Sequence, residues 1–193
     1  MNKKFAAALS GGAVLVMALS GCGGDDSDDK VNDWAKTVCD QVQPQLKKIS
    51  DANTSIQRQT ADNSKPADVQ RTDSRAFQQI SDAYKAMGTA VDKAGAPPVD
   101  DGETTQREAV KELNDSSAAY AGLKRQVDGL DTKDQAKFAD GLKGVADELS
   151  EISRSGDQAL QKLQSGEVGK AMAKQPGCQK PGASNTASPD AKA

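Results

Sequence analysis

The chain reads as all-α, an antiparallel helical bundle of about four main helices, and three observations lead there. Apolar residues recur at steps of three, four or seven through four long stretches, as one face of a helix requires. Short clusters of Gly, Pro, Asp and Asn separate those stretches. No run of alternating β-branched residues bounded by turns occurs, so strands have nowhere to sit.

The first stretch begins at Val31 and carries Trp34, Val38, Val42, Leu46, Ile49 and Ile56, with Asp28 or Asp29 able to cap its start. Pro44 falls inside the pattern, where proline removes a backbone donor and crowds the preceding turn. A kink, or a short helix followed by a longer one, is expected there. Trp34 is the single tryptophan; at this spacing it reads as a core anchor rather than a ligand platform. Asp62, Asn63 and Ser64 mark a turn, and Pro66 sits where the first turn of a second helix tolerates it. That helix shows Val69, Phe77, Ile80, Tyr84, Met87 and Val91, with Ala76, Ala83 and Ala94 as small contacts, and Gly95-Ala96-Pro97-Pro98 stops it.

Thr105 followed by Glu108 matches the capping box, in which hydroxyl and carboxylate satisfy each other's backbone donors, and predicts the start of a third helix. Its stripe is Val110, Leu113, Tyr120, Leu123, Val127 and Leu130. Gly129 to Asp131 ends it, and Thr132 with Gln135 forms a second box opening the fourth. So short a connection makes these helices antiparallel neighbours. Phe138, Leu142, Val145, Leu149, Ile152, Leu160 and Leu163 repeat at alternating fours and threes if Gly156 fills the missing step, the spacing of a bundle seam. Ser165-Gly166 ends it, and Val168 to Met172 forms a short terminal turn of helix.

Ahead of these helices, Lys3 and Lys4 precede an uncharged apolar run from Phe5 to Leu19. Positive charge, apolar run and small residues, in that order, make an export signal. At about 15 residues the run falls short of the roughly 20 that span a bilayer. Leu19-Ser20-Gly21-Cys22 resembles the lipobox of bacterial lipoproteins. The resemblance implies a diacylglyceryl thioether on Cys22, removal of residues 1–21 as a signal peptide, and a lipid-anchored protein at the outer face of the cytoplasmic membrane. One acyl chain binds membranes only marginally, whereas two or three hold durably.

The chain has three cysteines. With Cys22 assigned to lipid on that resemblance, Cys39 and Cys178 remain in an oxidising compartment, and a disulfide closing the bundle is their natural use. Two thiolates in a chain without histidine leave a zinc site short of ligands. The domain layout expected is a signal peptide over 1–21, lipidated Cys22 with an acidic flexible spacer over 22–30, a helical bundle over 31–178, and a disordered tail over 179–193. The spacer reads Gly-Gly-Asp-Asp-Ser-Asp-Asp-Lys from Gly23 to Lys30 and lacks the glycine and glutamate spacing of a calcium loop.

Lacking histidine, the chain has no Ser-His-Asp or Cys-His device, no histidine-ligated zinc motif and no Glu-x-x-His di-iron motif. Ser27 to Lys30 matches Ser-x-x-Lys without its companion motifs, and Gly169-Lys170 is followed by Ala171 rather than a phosphate-loop hydroxyl. No catalytic, cofactor or metal residue is assigned, and the protein is expected not to be an enzyme. Signal removal takes the basic count from 25 to 23 against 28 acids, moving the formal charge from -3 to -5. Nucleic acid is therefore not an expected partner.

In layout the chain resembles the small secreted lipoproteins of actinobacteria: lipobox, acidic spacer, Trp34 to Cys39 as Trp-x-x-x-x-Cys, alanine-rich helices, and Pro-Gly-Cys at Pro176 to Cys178. The expectation is a non-catalytic module bound to the membrane through Cys22 and contacting an envelope protein, polymer or small ligand. The alternative is a solute carrier with a pocket between helices. Ser116, Ser117, Gly141, Gly144 and Gly156 would leave room for it, with Tyr84 and Tyr120 as its first aromatics.

Overall fold

The computed structural model describes residues 25–61, 64–164 and 166–179, with side-chain surroundings over 27–59, 64–152 and 166–179. These residues form helices α1 (Asp25–Ala61), α2 (Pro66–Ala94), α3 (Gly102–Asp128), α4 (Gln135–Gln164) and α5 (Glu167–Ala173), then a single 3-10 turn at Pro176–Cys178. No strand occurs among the described residues. The chain is an all-α bundle closed by a disulfide between Cys39 and Cys178.

α1 starts six residues earlier than Val31, so its first turns take up part of the stretch expected as spacer. The composition of that stretch suits a helix start. Negative charge near a helix N-terminus is favoured by the positive end of the macrodipole, which favours helix over coil. α1 also runs through Pro44 as one continuous element.

α2 matches its sequence expectation at both ends, with Pro66 in its first turn and Gly95, at φ 75°, as its C-cap. The start of α3 differs. The helix opens at Gly102, with Asp101 before it in the left-handed region at φ 60° and no side-chain cap. Thr105 N–H donates to the Asp101 carbonyl, so Thr105 lies inside the first turn and the capping box is not used. Gly102 decides this register. A Cβ there would come within 2.0 Å of the Pro97 carbonyl oxygen, so only glycine lets the turn fold so tightly.

The α3–α4 connection is built by two aspartates. Asp131 Oδ1 accepts from Lys133 N–H at 2.9 Å, and Asp134 Oδ1 accepts from Ala136 and Lys137 N–H, each at 3.1 Å. Asp134 is therefore the cap of α4, in place of Thr132. Gln70 Nε2 on α2 donates to the Val127 and Leu130 carbonyls at 2.9 Å each, satisfying acceptors that the end of α3 leaves open.

α2 lies between α1 and α3, and α4 packs on α3. The main core joins Ala52, Ala76, Phe77, Ile80, Leu123, Val127 and Val145, one contribution or more from each long helix. A smaller cluster of Val31, Ala35 and Ala171, flanked by Trp34, Val99 and Met172, closes the other end. There Trp34 Nε1 donates to the Gly95 carbonyl at 2.9 Å, pinning the α2–α3 turn to α1.

Candidate functional site

Cys22, the expected acylation site, lies outside the described residues, as do the signal peptide, the tail beyond Gln179 and the surroundings of Gly156. Cys39 and Cys178 are joined, with their Cα atoms 4.9 Å apart across a separation of 139 residues. Cys39 is fully buried on α1. Gly177 makes the approach possible, because the chain there rests directly on the α1 backbone.

Of the residues expected to leave a groove, Ser117 and Gly141 are taken up by packing. Ser81 Oγ donates to the Ser117 carbonyl at 2.8 Å and lies 3.2 Å from Ser117 Oγ, bridging α2 and α3. Gly141 sits under Leu130, whose Cδ2 would be 2.3 Å from an added Cβ. Ser116 is half-buried on α3. Gly144 is exposed and has open space beside it.

Tyr84 and Tyr120 stack with ring centroids 5.5 Å apart, and Tyr120 continues to Phe77 at 6.2 Å. Both tyrosines pack against the main core. Burial pushes the phenol of Tyr84 up and that of Tyr120 up to about 12, the neighbouring Tyr84 adding to the latter. They are neutral aromatic packing at physiological pH, not proton carriers.

One polar group was missed by the sequence reading. Asp73 is 6% exposed and its Oδ1 has no hydrogen-bond partner. Burial raises its carboxyl to about 6. The signal was present: residue 73 stands four positions from both Val69 and Phe77, an acid on the apolar stripe of α2.

An open depression on α2 and α3 is lined by Ala67, Gln70, Arg71, Ser74, Arg75 and Asp128. Its polar groups are largely engaged already. Gln70 caps α3, Arg71 pairs with Asp68, and hydrogen bonds from Lys124 and Ser74 hold Asp128 below the usual carboxylate range.

Among the described residues no three or more His, Cys, Asp or Glu side chains gather as a metal site, and no helix is long and apolar enough to cross a membrane. Comparison with protein-family models, with curated proteins and with solved structures gave no match.

Proposed function

We propose that the protein is a lipoprotein anchored at the outer face of the cytoplasmic membrane, whose bundle is a non-catalytic binding module for another envelope component. The observation that carries this is the uncharged run ending in Leu19-Ser20-Gly21-Cys22 behind two lysines. The Cys39–Cys178 bond supports the placement, because such bonds persist in oxidising compartments and are rare in reducing ones. Two packing observations favour a surface that binds over a pocket that carries: Ser117 is spent on Ser81 and Gly141 on Leu130. A cross-linked body of long helices keeps its outer faces in fixed relation, which lowers the ordering cost of recognition.

Intact-mass measurement of the protein extracted from membranes tests the reading. The expected species begins at Cys22 and carries two or three acyl chains. An unmodified Cys22, or a chain retaining residues 1–21, overturns it. Crosslinking in intact cells, followed by capture of the acylated chain, then identifies the envelope component held by the bundle.

A further inference from the structure

We infer that the disulfide-closed end of the bundle faces the lipid headgroups, while the end bearing the α1–α2 and α3–α4 connections is held away from them; this rests on the acylation of Cys22 proposed above. The helical start of α1 leads to it. Asp25 is already helical and lies three residues after Cys22. Whatever their conformation, three peptide steps span at most about 11 Å. The anchor therefore ties one end of the body closely, without the longer leash that a spacer to Lys30 would provide.

The same end is fixed by three further contacts. Trp34 holds the Gly95 carbonyl, Ala171 of α5 packs on Val31 and Ala35, and Cys178 is bonded to Cys39. α5, the 3-10 turn and the α2–α3 turn thus share the anchored end. From Asp25 α1, with 37 residues, runs about 55 Å to the opposite end, and the contacts of Val31 to Cys39 fall within roughly its first 21 Å. Asp28, Asp29, Asp33, Asp100 and Asp101 are exposed near the anchored end. Lys30, Lys170 and Lys174 are exposed at the same end, so charge of neither sign sets its distance from the headgroups, and its closeness to the membrane follows from the short tether.

The test labels lysines of the acylated protein in phosphatidylcholine vesicles with an amine reagent too bulky to enter the gap beside the membrane, and reads each site by mass spectrometry. The reference is the mature chain with Cys22→Ser, free in solution. Lys30, Lys170 and Lys174 are expected to lose reactivity on vesicles, while Lys65 and Lys133, at the opposite end, keep it; all five are exposed on the body itself. Equal loss at both ends, or loss at Lys65 and Lys133 alone, overturns the orientation. Acylation is measured first: if Cys22 carries no lipid, the proposed function fails and the orientation with it, whereas an acylated chain with uniform labelling loss sinks the orientation only.

Discussion

Gly177 lies so close to α1 that a Cβ built on it would stand 2.5 Å from the Cys39 carbonyl oxygen. The Pro-Gly-Cys segment is thus a fitted contact: glycine permits the approach, and the next residue makes the bond. Gly177→Ala sets a methyl group against the α1 backbone, which no rotamer change relieves, and is expected to cost roughly 1–3 kcal/mol, the range for overpacking. Thermal unfolding of the oxidised protein measures this. An unchanged melting temperature would show that the terminal turn is not held against α1.

Reducing the Cys39–Cys178 bond releases a constraint spanning 139 residues. The chain-entropy model assigns about 5 kcal/mol to so long a loop, an upper figure because strain and residual structure subtract from it. Denaturant unfolding with and without reductant is expected to differ by about 2–5 kcal/mol. Trp34 fluorescence reports the end closed by the disulfide, and that end is expected to loosen first.

Asp73 brings a pH dependence of unusual sign for an acid. Its folded value is raised to about 6 from 3.8, so between those values the folded protein binds more protons than the unfolded chain. This group's contribution is most favourable below about pH 4, declines as pH rises through 6, and stays low above. Asp73→Asn removes the charge that burial penalises and is expected to stabilise the protein at pH 7 by up to about 3 kcal/mol while flattening stability between pH 4 and 6. Equilibrium unfolding of both proteins across that range measures it. Destabilisation by the substitution at pH 7 would mean the carboxylate has a bonding role.

Tyr84 and Tyr120 are the only tyrosines, so phenolate absorbance resolves them without background. Both titrate above the ordinary value because burial disfavours the charged ring, Tyr120 near 12. The unfolded chain ionises first, and stability from this pair is lost as pH rises from about 10 to 12. Tyr120→Phe is expected to move alkaline unfolding upward while leaving neutral stability within about 1 kcal/mol.

The stripes were legible because each long helix buries one face: Phe77, Ile80, Leu123, Val127 and Val145 were all marked by spacing and all meet in the core. What escaped was set by contacts that the apolar stripes do not carry. Thr105 fits a cap locally, yet Gly102 packs on Pro97 and starts the helix earlier. Pro44 reads as a kink or a break, and of the two the break does not occur: α1 continues through it, backed by Ile49 and Ala52 on one side and Val38 and Cys39 on the other. Ser117 and Gly141 read as spare room because spacing alone does not show what fills it, here Ser81 and Leu130. Asp73 was passed over because a stripe is recognised by its apolar members.

Which residue starts α4 separates the local reading from the folded one most cleanly. A capping box spanning Thr132 and Gln135 would place the cap on Thr132, whereas the hydrogen bonds to Ala136 and Lys137 N–H come to Asp134 Oδ1. Those bonds, from Lys137 above all, hold the Asp134 carboxyl below its usual range. A lowered folded value means the contribution is present above the unfolded pKa and disappears as pH falls through the folded one. Asp134→Ala is therefore expected to lower the melting temperature at pH 7 and to have a smaller effect in strong acid. Thr132→Ala leaves both nearly unchanged, because no first-turn N–H of α4 depends on that hydroxyl. Asp134→Asn, which keeps an accepting oxygen at the same place, recovers most of the loss at pH 7 and removes the acid dependence. A Thr132→Ala protein less stable than Asp134→Ala would return the cap to the residue that local pattern favours.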